Sequence, residues 1–423
     1  MDSSVVTSLF LAALVASTVV RLWLATRQMR HVALHRAAVP AAFTEITSLA
    51  AHQKAADYTL AKGRLGLLSM AVGTAVLIGW TLLGGLDLLN ANVRNWVQPR
   101  WGDMAYQLAL LASFTAIGSL IELPFALYST FRLEARFGFN RMTWRLYVSD
   151  SLKDLAIGVC IGLPIAALIL WIIGNSGGLW WLWAWVALSA VQLLAMVLYP
   201  TFIAPLYNRF KPLDDAALVE RVRALMARCG FALKGLFEMD GSKRSAHSNA
   251  YFTGLGATKR VVFFDTLLAK LTPNEMEAVL AHELGHFKHK HLTKRLVMVL
   301  AISLAGFALL GWLAGQVAFY EGLGASISPA APNDALALLL FSMTLPVFGF
   351  FVSPLFAHGS RRDEFQADAY ASQQTSGADL ASALLKLHQD NAATLTPDPM
   401  YVRFYYSHPA TPERLAALKA LPG

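Results

Sequence analysis

His282, Glu283 and His286, inside the run Thr272 to His291, have the types and spacing of residues that can do chemistry together. On a helix, two histidines four residues apart leave the same face about one turn from each other. Their nitrogens can then reach one zinc ion, and a carboxylate beside them can act as base on a water held there. The helix has its own start signals: Thr272 as N-cap, Pro273 at the first helical position, and Glu275 where a capping box places a carboxylate. Beyond the pair, His289 and His291 alternate with Lys288 and Lys290. That pattern is expected of a solvated cluster at a membrane interface, not of further ligands.

A hydrolytic zinc site needs three protein ligands and an open position. The run Ser360-Arg361-Arg362-Asp363-Glu364-Phe365-Gln366-Ala367-Asp368 places Glu364 and Asp368 on one helical face. Glu364 can be the third ligand, and Asp368 can accept the free N–H of a ligating histidine from behind. Taken alone, the same run is an ordinary charged helix end. The two cysteines, Cys160 and Cys229, give no disulfide framework and no zinc-ribbon spacing, so any metal rests on histidine and carboxylate; both are expected to be mostly buried thiols. Asn249-Ala250-Tyr251-Phe252-Thr253 reads either as an edge strand able to bind an extended peptide or as a plain hairpin. His247 is a cleft residue or a surface histidine. Near the end, Tyr405-Tyr406-Ser407-His408-Pro409 is a turn, or it supplies a group that hydrogen-bonds an oxyanion.

These residues must be held by a chain of unusual composition. Its 423 residues are 56% hydrophobic and only 15% charged, against about 25% charged in soluble domains. Mean hydropathy is +0.47. Seven stretches are long and apolar enough to span a bilayer: Ser4–Leu24, Leu65–Leu89, Ala105–Tyr128, Leu155–Ile173, Leu179–Tyr199, Leu296–Phe319 and Ala335–Phe356. The net charge of +8 sits in loops between them, which reads as a topology signal and not as a nucleic-acid surface. Arg27, Arg30, Arg36, Lys54, Lys62 and Arg64 follow the first span, and Arg132, Arg136, Arg141, Arg145 and Lys153 follow the third. By contrast, Gly174–Gly178 and Glu321–Asp334 contain no Lys or Arg. The positive-inside rule therefore puts Pro200–Arg295 and the C-terminal tail in the cytoplasm, with the first span uncleaved. Trp180, Trp181, Trp183 and Trp185 are placed as an interfacial belt, and Glu122, costly in lipid, is expected to face the bundle interior or a water-filled cavity, either in a functional role or in a structural ion pair. Residues 1–200 then form a membrane domain of five spans, and 296–356 carry spans six and seven. Segments 201–295 and 357–423 are polar. Within the first polar segment an amphipathic helix over Leu213–Cys229 precedes short strands at Leu236–Asp240, Asn249–Thr253 and Lys259–Asp265, the last two joined across Gly254 and Gly256.

Phe137-Gly138-Phe139-Asn140-Arg141, Ser242–Phe252, His282–His286, Arg361–Asp368 and Ser407-His408-Pro409 occur in an order that resembles the type I CAAX prenyl endopeptidases. These are integral-membrane zinc metalloproteases of the gluzincin class. The likeness covers nearly the whole chain, including two spans inserted between the zinc motifs; the heat-shock-type membrane protease, with fewer spans, fits less well. The resemblance implies a mainly α, polytopic membrane protein. Its seven helices would form a barrel around an internal chamber, with a small α+β protease domain on the cytoplasmic side. It also implies one zinc ion per chain on His282, His286 and Glu364, with Glu283 as general base, Asn249 and Ala250 on the substrate-binding edge, and His408 near the intermediate.

The function expected is a zinc metalloendopeptidase of CAAX-type C-terminal processing, acting on peptide or protein substrates, prenylated or membrane-associated, at the lipid bilayer and not on nucleic acid. The Ala-rich chain without a eukaryotic retention signal reads as bacterial, resident in the inner membrane. Membrane-protein quality control is the alternative for the same chemistry. A transporter or channel with a structural metal is the alternative from another class, and Glu283 and the lack of four closed ligands weigh against it.

Overall fold

The computed structural model describes residues 2–247, 249–253, 258–328 and 331–421. Among them, six helices are long and apolar enough to cross a membrane: α1 (Ser3–Leu34), α2 (Leu49–Trp80), α3 (Gly85–Phe137), α4 (Trp144–Asn175), α5 (Gly177–Tyr207) and, after the polar segment, one over His291–Leu313. Local chemistry starts several of them. The Asp2 carboxylate accepts from the Ser4 N–H, Ser48 from Ala51 and Thr143 from Leu146, each meeting a backbone donor that the first turn leaves open.

The second span differs from the expected Leu65–Leu89. Helix α2 ends at Trp80, and Gly84, at φ +73°, makes the left-handed turn that starts α3 at Gly85. The stretch with Arg94 and Arg100 is therefore the first part of α3, which kinks at Gly102. Glu122 is exposed on α3, and Cys160 is exposed on α4, contrary to the burial expected for that thiol; Cys229 is buried. Of the tryptophan belt, Trp185 instead ties two helices together, its Nε1 donating to the Leu300 carbonyl and to Ser303.

The polar segment begins with β1 (Phe210–Pro212), too short and too proline-bound to be read from pattern. Then come α6 (Ala216–Cys229), β2 (Ala232–Met239), β3 (Ala250–Thr253), β4 (Thr258–Phe264) and α7 (Pro273–Lys288). The sheet order is β1-β2-β4-β3, with β3 antiparallel to β4 at the edge and Tyr251 opposite Val262. The expected crossing at Gly254 and Gly256 lies outside the described residues. The chain continues through α8 (His291–Leu313), α9 (Asp334–Gly349), α10 (Ser353–Gln374), α11 (Gly377–Asp390), α12 (Pro399–Tyr405) and α13 (Thr411–Ala420).

The seventh span is not one straight rod. Helices α9 and α10 meet at 64°, and Pro354, in the first turn of α10, has no N–H to extend the α9 ladder. That bend sends α10 away from α9 and along α7. Leu218, Val222, Leu225, Phe263, Met276, Leu280 and Leu284 pack with Tyr370, Ala371, Leu380 and Ala383, so both polar segments supply one core. A separate core in the spans joins Phe10, Leu86, Leu110, Leu170, Leu310 and Leu340. Between α1, α2 and α9 lies a cavity of about 880 Å³.

Candidate metal centre and active site

Thr272 and Glu275 close the expected capping box at the start of α7: the Glu275 carboxylate accepts the Thr272 N–H at 2.8 Å and the Thr272 hydroxyl accepts the Glu275 N–H at 3.4 Å. Two turns on, α7 presses against α10. A Cβ on Gly285 would lie 3.0 Å from the Ala367 Cα and 3.2 Å from its carbonyl oxygen, so glycine allows the close approach. That approach brings Glu364 to the two histidines. His282 Nε2 and His286 Nε2 are 3.3 Å apart; the Glu364 oxygens lie 3.4 Å from the first and 3.5 Å from the second.

Three donor atoms, one from each residue, lie within 4.8 Å of one another, and their protons are accounted for elsewhere. The Asp368 carboxylate is 2.8 Å from His282 Nδ1, so that nitrogen carries the hydrogen and Nε2 presents a lone pair. Glu364 Oε2 is buried and makes no hydrogen bond, with His282 Nε2 at 3.4 Å and the Arg414 guanidinium at 3.6 Å. An orphaned carboxylate oxygen beside facing imidazole nitrogens is costly unless a cation sits among them, and the residues present fit a divalent metal. Without a metal, burial works against charge on His282, but the Asp368 and Glu364 carboxylates outweigh it and hold the imidazole up at about 9, so a cation bound at Nε2 takes the place of a proton there. Burial and the charge of His282 push His286 down to about 4. Burial raises Glu283 above the ordinary carboxylate range, as a general base requires.

Around this centre, Arg414 is a residue the sequence pattern hid. It is buried, its Nε donates to Asp368 Oδ2 at 2.8 Å, its Nη2 donates to Oδ1 at 2.5 Å, and Nη1 lies 3.6 Å from Glu364. The one signal in the sequence is a charge one turn before Leu418, on the apolar face of α13. His291 overturns its expected place in a solvated cluster. It is 2% exposed, with Nδ1 3.0 Å from His286 Nδ1, and Lys290, left-handed at φ 57°, joins α7 to α8 just before it. His289 remains exposed. His408 keeps an exposed side chain and brings Nε2 to 3.3 Å from Glu364 Oε1.

Edge strand β3 borders the same space. A cavity of about 460 Å³ is lined by Asn249, Ala250, Glu283, Glu364, His408 and Arg414, with both metal-facing histidines. Its support comes from the membrane side: the Arg141 N–H donates to the Arg244 carbonyl, and the Ala246 N–H to the Phe139 carbonyl. His247 stacks on Phe139 at 4.7 Å and bonds Asn391 at 2.9 Å, so it is a packed joint and not a loose surface histidine.

With this geometry in view, the kinship of the chain is clear. A model described as CAAX prenyl protease N-terminal, five membrane helices, matches residues 28–209, and one described as Peptidase family M48 matches 212–421. The chain belongs to peptidase family M48. Similar M48 proteins include a CAAX prenyl protease 1 homolog of Oryza sativa subsp. japonica, 33% identical over 92% of each chain, and CAAX prenyl protease 1 of Saccharomyces cerevisiae, 34% identical over 86% of this chain and 85% of that one. The crystal structure of S. mikatae Ste24p superposes with a TM-score of 0.90 at 31% identity, covering 99% of both chains. This M48 protein is accordingly a multi-pass membrane metallopeptidase, mainly helical, with the chambered membrane fold expected from its motifs.

Proposed function

We propose that the chain is a zinc metalloendopeptidase that processes C-terminal, CAAX-type peptides, with His282, His286 and Glu364 as the three ligands. The carrying observation is the convergence of those three donor sets, with an orphaned Glu364 oxygen, in a cavity bordered by an edge strand. Segments 201–295 and 357–423 would form one protease unit, interrupted by 296–356. Loop charge supports a cytoplasmic orientation of the site, and the Ala-rich composition supports an inner membrane of bacterial type. The M48 relatives named for CAAX prenyl proteolysis support the substrate class.

When bound, zinc supplies Lewis acidity toward the scissile carbonyl and an activated water. Glu283 takes the proton of the attacking water and passes it to the leaving amine. Asn249 and Ala250 align the peptide against β3 through main-chain hydrogen bonds, and His408 donates to the oxyanion. Asp368 holds the N–H of His282 so that the ring keeps one tautomer.

Cleavage of one peptide with and without a C-terminal prenyl group, with Glu283→Ala as blank, tests both chemistry and substrate. The reading expects metal to stay bound in Glu283→Ala with cleavage abolished, and faster turnover of the prenylated peptide. Cleavage by Glu283→Ala would remove the base assignment. Equal turnover of both peptides would move the substrate toward unmodified membrane proteins.

A further inference from the structure

The buried contact between His286 and His291 fixes the place of a proton. Nε2 of His291 lies 2.9 Å from Gln366 Oε1 and 3.5 Å from Asp363 Oδ1. An amide can be turned to present either a donor or an acceptor, but a carboxylate only accepts, so Nε2 of His291 is the nitrogen that carries hydrogen. In the neutral ring its Nδ1 then bears a lone pair, and the atom facing it at 3.0 Å is His286 Nδ1. Two lone pairs at that distance repel, so His286 Nδ1 carries the hydrogen. The Nε2 of His286 is left unprotonated, aimed at His282 Nε2 and Glu364. His291 is 2% exposed, so this contact is buried.

We propose that His291 is a positioning residue: it sets the tautomer and ring angle of His286 from behind, as Asp368 does for His282. This rests on the reading of His282, His286 and Glu364 as ligands. His291 is not itself a fourth ligand, because its Nδ1 meets the nitrogen of His286 that points away from the centre. The two supports differ in kind. His282 is backed directly by a carboxylate clamped by Arg414, whereas His286 is backed by an imidazole that leads on to an amide and a more distant carboxylate. Partners of this sort change metal affinity by about 10–100-fold when removed.

The test is the zinc dissociation constant of the full-length chain in detergent, measured by competition with a chromophoric chelator, with the absorption spectrum of the Co²⁺ form alongside. His291→Phe keeps a ring and removes the acceptor; His291→Asn returns a carbonyl oxygen near the Nδ1 position. Expected are zinc binding weakened by about 10–100-fold and an altered Co²⁺ spectrum for His291→Phe, with most of both restored in His291→Asn. Affinity equal to wild type in His291→Phe, or no recovery in His291→Asn, overturns the proposal. Should His291→Phe fail to fold, the double variant Asp363→Ala with Gln366→Met removes both partners of His291 Nε2 without touching the ring, and unchanged zinc affinity there overturns it too. Glu364→Ala run in parallel separates the two levels. Zinc retained in that variant sinks the ligand set, whereas zinc lost there with His291→Phe unaffected sinks this proposal alone.

Discussion

Buried charge around the metal-facing histidines decides which side chains the site can lose. Arg414 stands between two buried carboxylates, Asp368 and Glu364, and removing it takes away the guanidinium that faces both. Arg414→Ala is expected to destabilise the protein by about 3–5 kcal/mol, seen as a fall in melting temperature in detergent, with Arg414→Lys recovering part of it. An unchanged melting temperature would mean that the pair is not structural. His408, with an exposed side chain and its Nε2 3.3 Å from Glu364, has a different expected phenotype. His408→Ala should keep metal and fold while kcat falls on the order of 100-fold with little change in KM, the behaviour of a lost oxyanion donor. His282, Glu283 and His286 were legible in the sequence because one helical turn spaces them. Glu364 was legible because it shares a face with Asp368. Arg414 was not: its partner Asp368 lies 46 residues away, and among Leu415 and Leu418 it reads as one charge on an amphipathic helix. His291 was hidden by its lysine neighbours and by a left-handed turn that no pattern announces.

At the level of elements, the decisive contact is α7 on α10. Gly285→Ala would push its methyl into the Ala367 backbone, so α10 must retreat by a few tenths of an ångström and carry Glu364 with it. A loss of about 1–3 kcal/mol and weaker metal binding are expected, measured by melting and by zinc competition. A stable variant with full affinity would show that the helices approach less tightly. The capping carboxylate Glu275 does a second job that its motif does not reveal, accepting from Ser382 and Lys386 of α11 at 2.7 Å each. Burial opposes its ionisation, but the Lys386 and Ser382 bonds win and hold it down at about 2, below its ordinary 4.5. A lowered folded value means that its contribution is complete above the unfolded value and drains away as pH falls from 4.5 toward 2. In metal-free protein, Glu275→Gln should melt lower at about pH 7, with the gap to wild type closing toward about pH 3. Parallel curves would contradict it. Element types followed from hydrophobic period. Their ends did not, because the Gly84 turn and the Pro354 bend lie inside apolar runs that hydropathy alone treats as continuous.

Over the whole molecule, one hydrophobic core is assembled from two polar segments that the sixth and seventh spans separate in sequence. A metal held by α7 and α10 bridges those segments, so bound zinc should raise the melting temperature, with about 4 kcal/mol of stabilisation at free zinc a thousandfold above its dissociation constant. Equal melting of the metal-free and zinc-loaded forms would deny the bridge. The membrane class, the two polar segments and their shared site were legible because hydropathy and motif order carry them. The joint between Phe137–Arg141 and Arg244–His247 was not, since a short bridge between distant loops leaves no periodic trace. The central claim is that one zinc ion on His282, His286 and Glu364 makes this chain a peptidase. Its most direct test is zinc titration into chelator-stripped protein while peptide cleavage is followed. Activity is predicted to rise from nothing and level off at about one equivalent per chain in the wild type, and to stay absent in Glu364→Ala at that stoichiometry. Cleavage that survives stripping, or full recovery of Glu364→Ala at one equivalent, would contradict it.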